Sequence, residues 1–263
     1  GNMTEQSSDI ANRFRILAAK KTGGTATVYQ AFDSTTSKLV ALKVFSEANR
    51  DPAVVAEIWN RECAALTKLQ GHRSVVQFVD AGRTPDTGEK YIALEWIDGP
   101  TLEEHFEKTG KVSWDEFWIS IGRVLLEALI FAAERNVWRR DLSTGNVLVA
   151  PGGVPKVIDF GQAKLESPGI GITVAGWKTV PYCLPEEDTG TYTYTRDPFS
   201  ISAIAVRALA GRAIKNHEEL YTALEQVVLP EPISRVLRKA LSRTPEERYR
   251  TVIEFGAAIQ GND

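Results

Sequence analysis

The pattern of hydrophobic and polar positions changes character once along this 263-residue chain, near Asp98-Gly99-Pro100. Before that point it predicts mostly strands: Arg13–Ala18, Thr27–Asp33 and Leu39–Phe45, with STTSK turning between the last two, then Val75–Ala81 and Tyr91–Ile97 around the turn TPDTGE. One helix interrupts them, DPAVVAEIWNRECAALTKLQG. Asp51 suits its N-cap, Pro52 its first position and Gly71 its stop, and Val55, Ile58, Ala65, Leu66 and Leu69 recur at helical spacing. After Pro100 the pattern predicts helices over Thr101–Thr109 and Ser113–Arg135, the second capped by Ser113 and carrying a Trp/Phe/Ile/Leu face. Short strands Asn146–Ala150 and Pro155–Ile158 flank PGGVP. The remainder reads as helices Pro198–Ala210, Glu218–Val228, Ile233–Leu241 and Val252–Ile259. The expected class is α+β, with a small strand-rich lobe to Ile97 and a larger helical lobe after it. Two lobes joined by one extended strand predict a cleft, where ligands tend to sit.

Composition narrows the function classes. The chain is 43% hydrophobic and 25% charged, an ordinary globular balance long enough for a large core. A net charge of −3 without a block of either sign gives no support to nucleic-acid or membrane-surface binding. The longest apolar stretch, Val124–Ala133, is broken by Glu127 and too short for a bilayer, and no signal segment opens the chain. Gly1-Asn2 ahead of Met3 reads as an expression-tag remnant, so residues 1–12 form that remnant and an N-terminal tail. Cys63 and Cys183 stand far apart without a partner motif, which predicts reduced thiols and a cytoplasmic setting. His72, His105 and His217 lack the Ser/Asp setting of a hydrolase triad.

The chemistry-bearing residues lie where the second lobe is least regular. RRDLSTGNVLV sets Asp141 and Asn146 five apart, and KVIDFG adds Asp159 soon after. Singly, these are ordinary turn residues. They stand, however, in one order with KKTGGTATVY, VALKVF, the helix containing NREC, YIALEWIDG, and YCLPEE. That set resembles the eukaryotic-type (Hanks-type) serine/threonine protein kinase domain over about residues 13–260, N-lobe 13–97 and C-lobe 98–260. The resemblance implies a bilobal fold, a small antiparallel-sheet lobe with one helix and a larger, mainly helical lobe.

It also implies roles. Phosphoryl transfer asks the protein to hold a polyanion still, neutralise it with metal and aim a nucleophile at phosphorus. Lys43 would hold the α- and β-phosphates of ATP and Glu62 would pair with it. Asp159 and Asn146 would bind magnesium, with manganese as the alternative, since hard cations prefer oxygen ligands. Asp141 would accept or orient the substrate hydroxyl. Gly23 and Gly24 would approach the phosphates, Val28 and Ala41 would cover the purine with Leu148 beneath, and the backbone of Glu95 and Ile97 would bond the adenine. Leu94 falls at the gatekeeper position.

The chain departs from the family pattern in three places. Lys21, Gly23 and Ala26 stand where three glycines are usual, with Gly24 added. Arg139 replaces the histidine of His-Arg-Asp, and a guanidinium there needs a partner. Ser143 replaces a lysine that touches the transferred phosphate; losing one such donor costs on the order of 2–4 kcal/mol of transition-state stabilisation, by analogy with oxyanion holes. Slow transfer, including onto the chain itself, is compatible with these changes.

Outside the central motifs, Leu184–Glu186 resembles the Ala-Pro-Glu that ends the family's activation segment, so Glu186 would pair with Arg248. Asp197 would anchor the catalytic loop or serve as an N-cap. Thr179, three residues before Tyr182, matches the threonine that favours Ser/Thr acceptors. Thr173 and Thr179 are the candidate phosphosites, with Arg140 as the arginine that would read a phosphate. The leading expectation is an ATP- and Mg-dependent serine/threonine protein kinase acting on a protein substrate or partner. A nucleotide-binding pseudokinase scaffold is the alternative, and a small-molecule kinase is opposed by Thr179, Leu184–Glu186 and Arg248.

Overall fold

A computed structural model describes residues 9–22, 26–85, 87–138, 142–158, 164–165, 179–187 and 189–261. The chain divides into two compact units, Gly1–Gly71 with Val76–Ile97, and His72–Val75 with Asp98–Asp263.

The first unit is built on an antiparallel sheet. Its strands are β1 (Asp9–Ile10), β2 (Phe14–Thr22), β3 (Ala26–Asp33) and β4 (Lys38–Phe45), then, after helix α1 (Pro52–Lys68), β5 (Phe78–Arg83) and β6 (Lys90–Glu95). The sheet order is β1-β2-β3-β4-β6-β5. Alternation along β4 turns Val40, Leu42 and Val44 into one core with Phe14, Ala31, Tyr91 and Ala93, which leaves Ala41 and Lys43 on the opposite face. Helix α1 starts where expected: the Asp51 carboxylate accepts the Ala53 N–H at 2.9 Å and Pro52 supplies the first turn. The Trp59 indole donates to the Tyr91 carbonyl at 3.0 Å, tying α1 to β6.

The expected strand over Val75–Ala81 moves. Pairing with β6 begins at Phe78, whereas Val75 makes a parallel bridge to Val157 in the second unit. Both valines at 75 and 76 are buried, so an apolar run alone could not separate the two destinations.

An ion-pair cluster closes the outer end of the sheet. The Arg13 guanidinium donates to both oxygens of Asp33 at 2.7 and 3.0 Å and reaches Asp80, while Thr36 and the Thr35 N–H also donate to Asp33. The Arg13 hydrogen bond is the main reason that the Asp33 carboxyl is held down at about 2. Its contribution is therefore complete above about pH 4, the unfolded value, and is lost as pH falls through about 2. The stability gap between wild type and Asp33→Asn is expected to narrow by on the order of 2 kcal/mol from pH 5 to pH 2. Urea denaturation at the two pH values measures it, and a constant gap would show that the pair adds nothing.

The second unit contains α2 (Leu102–Thr109), α3 (Trp114–Phe117), α4 (Arg123–Glu134), β7 (Val137–Trp138), β8 (Val147–Val149), β9 (Pro155–Val157), β10 (Lys164–Leu165), α5 (Arg196–Ala210), α6 (His217–Gln226), α7 (Glu231–Ala240) and α8 (Val252–Gln260). Thr101 and Glu104 form a reciprocal capping box at α2. The single helix expected over Ser113–Arg135 is interrupted by a π-helical turn, Trp118–Gly122. The Trp114 and Trp118 rings stack there at 5.3 Å, and a Cβ on Gly122 would lie 2.7 Å from the Phe117 ring. A wider turn and a missing side chain make room for the rings. Helix α5 is buried almost throughout and forms the centre of this unit. Thr195, not Asp197, is its N-cap; Asp197 sits inside the first turn.

No helix among the described residues is long and apolar enough to cross a membrane. Cys63 and Cys183 are both free thiols, and burial, with the Glu62 charge beside it, pushes Cys63 up to about 11, outside the range of a reactive thiolate.

Candidate active site

In the first unit the register of β3, β4 and β6 assembles one sheet face. Val28 pairs with Lys43, Lys43 with Ile92, and Ala41 with Leu94. Residues directly opposite in antiparallel strands share a face, so Val28, Ala41, Lys43 and the gatekeeper-position Leu94 stand together, opposite the core. Lys43 Nζ donates to Glu62 Oε1 at 2.9 Å and Oε2 at 3.0 Å. Glu62, on α1, is 1% exposed and Lys43 17%. Helical periodicity turns Glu62 inward with Val55, Ala65 and Leu66, so a carboxylate is buried in an apolar row. Such a pair is worth keeping only when complete, because either partner alone would be a buried, unmatched charge.

Glu95 follows Leu94. Its N–H donates to the Gln77 carbonyl at 2.9 Å and its carboxylate accepts the Gln77 N–H at 3.0 Å. The Glu95 N–H is therefore used within the sheet unit itself. Ile97 is buried and closes the unit.

In the second unit Leu142, Ser143, Thr144 and Asn146 are all buried. Asn146 donates its N–H to the Ser143 carbonyl at 3.1 Å, and its carbonyl accepts the Ile158 N–H at 3.1 Å. That bond fixes the backbone one residue before Asp159 against the residue expected to share its metal. Val157 N–H is held by the Ser74 carbonyl at 2.9 Å, and Val147 pairs with Val157 in the β8–β9 hairpin. Leu148 is half-buried on β8. Gly23, Gly24, Arg139, Arg140, Asp141, Asp159 and Thr173 lie outside the described residues.

The expected Glu186–Arg248 pair is present. Arg248 Nη2 donates to Glu186 Oε2 at 2.9 Å and Nη1 to Oε1; its Nε donates to the Ser242 carbonyl at 2.7 Å. The Thr179 carbonyl accepts the N–H groups of Tyr182 and Cys183, a tight turn leading into Leu184–Glu186.

Sequence reasoning missed one cluster. Arg207 on α5 is 1% exposed and binds the Glu103 carboxylate through Nε and Nη2, and Glu103 in turn bonds Thr144. The available signal was a lone arginine in the apolar run SISAIAVRALAG, since buried charge demands a partner.

The protein kinase domain profile matches residues 21–255. The chain belongs to the protein kinase family. This kinase domain is of the Hanks type, and its relatives carry serine/threonine-kinase names. It is 28% identical over 261 residues to a probable serine/threonine-protein kinase of Clostridium perfringens, covering 94% of this chain and 38% of that protein. It is 30% identical over 262 residues to the probable serine/threonine-protein kinase PknB of Lactococcus lactis, covering 94% and 41%. It is 28% identical over 268 residues to serine/threonine-protein kinase PrkC of Bacillus subtilis, covering 95% and 40%. The kinase domain thus spans about two fifths of the length of these relatives.

Proposed function

We propose that this kinase domain transfers the γ-phosphate of ATP to serine or threonine hydroxyls of a protein substrate, with magnesium or manganese bound and in a cytoplasmic setting. The observation that carries the reading is the Lys43–Glu62 pair, a cation held by two hydrogen bonds that it donates to a buried carboxylate. A lysine fixed that way presents its charge in a defined direction without further ordering, as a phosphate-binding group requires.

The available donors fit the implied metal: Asn146 brings an amide oxygen and Asp159 a carboxylate, both hard ligands. Bound there, the ion would neutralise charge on the phosphates. Val28, Ala41 and Leu148 would contact the purine, with hydrogen bonds from the backbone of Glu95 and Ile97. Gly23 and Gly24 would allow close approach to the phosphates. Asp141 would orient the acceptor hydroxyl and take its proton. The supporting frame is the loop with buried Leu142, Ser143, Thr144 and Asn146, and its bond to Ile158. Thr173 and Thr179 remain the proposed sites of modification.

One observation favours a scaffold reading, in which nucleotide is bound but not used. Ser143 is buried and uncharged where a phosphate-contacting lysine is expected. Radiolabelled transfer with magnesium and with manganese, against an Asp141→Asn control, separates the two. Label above the control supports the kinase; measurable nucleotide binding without it supports the scaffold. ATP at 100 times its dissociation constant is expected to stabilise the fold by about 2.7 kcal/mol in a thermal-shift experiment. No shift at any concentration would reject both.

A further inference from the structure

We infer that Thr144 is a positioning residue, whose hydroxyl couples the catalytic loop, through a charge-locked hydrogen-bond chain, to α5, the helix that also holds the end of the activation segment. The inference rests on the phosphotransfer reading above for its catalytic consequence, and on geometry for its existence.

The chain is anchored by Arg207. Its Nε lies 2.9 Å from Glu103 Oε2 and 3.1 Å from Oε1, and its Nη2 2.7 Å from Oε2. The guanidinium is 1% exposed, and its Nη1 has no hydrogen-bond partner. This charge therefore depends on Glu103, which cannot leave without stranding it.

Glu103 uses that fixed position to hold Thr144 twice. Its N–H donates to the Thr144 carbonyl at 3.1 Å, and its Oε1 accepts the Thr144 hydroxyl at 3.0 Å. The same helix, α5, holds the segment that ends at Glu186: the Tyr182 carbonyl accepts the Ser200 hydroxyl at 2.6 Å.

Thr144 lies between Asp141 and Asn146, the proposed base and metal ligand, and Tyr182 follows the Thr179 turn. A hydroxyl at this position gives the loop a polar link to α2 and, through Arg207, to α5. A carbon-only side chain of equal size would keep the packing and break the link.

The test compares Thr144→Val with Thr144→Ser. Losing a hydrogen bond to a charged group corresponds to about tenfold in rate if it is used for alignment. Thr144→Val is expected to lower kcat by about that factor with KM for ATP unchanged, and Thr144→Ser to stay within about twofold of wild type. Hydrogen exchange is expected to quicken at the Glu103 and Asn146 amides in the valine variant only. A valine variant with wild-type kcat and wild-type exchange overturns the inference, and so does one that changes KM for ATP alone. If wild type shows no Asp141-dependent transfer, the proposed function fails. Amide exchange then decides the link by itself: faster exchange upholds it and unchanged exchange removes it.

Discussion

Lys43→Met is expected to cost at least about a hundredfold in phosphate transfer and, separately, about 3–5 kcal/mol of stability. The two losses have different origins, which is what makes the experiment informative. The catalytic loss comes from removing the charge proposed to hold the α- and β-phosphates. The stability loss comes from Glu62, a 1% exposed carboxylate whose two oxygens lie 2.9 and 3.0 Å from Nζ. Without the lysine it becomes a buried carboxylate that has lost the cation opposite it. Glu62→Gln keeps the shape but removes the charge. The double variant Lys43→Met/Glu62→Gln is therefore expected to regain most of the stability and none of the transfer. Thermal unfolding beside the transfer assay reads both. A single Lys43→Met variant as stable as wild type would mean that the carboxylate finds water, and the pair would lose its claim to be a built site.

The parts of this fold that were legible in the sequence are those set by neighbours along the chain. Asp51-Pro52 marked the start of α1 because a capping oxygen and a fixed φ act within one turn. Ser113 marked the start of α3 for the same reason. The strands β3 and β4 were readable from composition and turn residues, and their register then carried Val28, Ala41 and Lys43 to one face without further information. What was not legible depends on distant partners. Two-residue strands such as β7 exist only because another segment is opposite. The π-helical turn follows from ring stacking, which helical periodicity does not register. Arg207 and Glu103 meet across 104 positions of sequence, so only the oddity of an arginine among apolar residues hinted at them. The Glu186–Arg248 pair is just as remote and was still foreseen, because the resemblance to protein kinases supplied the partner that local physics could not.

That pair provides the second large effect, in stability rather than rate. Arg248 has a side chain that is 0% exposed, and Glu186 is 31% exposed. Besides Glu186, the guanidinium bonds the Ser242 carbonyl at 2.7 Å and Thr195 Oγ1 at 3.4 Å, and lies 5.4 Å from the Phe199 ring. The unequal exposure makes the two single substitutions unequal. Glu186→Ala leaves a full positive charge enclosed with only neutral partners and is expected to cost about 3–5 kcal/mol, a fall in Tm on the order of 10 °C. Arg248→Met keeps most of the buried volume and leaves a carboxylate that can turn to water, so about 1–3 kcal/mol is expected from the lost hydrogen bonds. Thermal unfolding of both variants and of the double variant tests the ordering. The double variant is expected to be more stable than Glu186→Ala, since it no longer encloses an unmatched charge. If Arg248→Met proves the worse of the two singles, the bonds to Ser242, Thr195 and Phe199 outweigh the ion pair. The arginine would then be holding the loop at Ser242 to α5, and its link to the activation segment would be secondary.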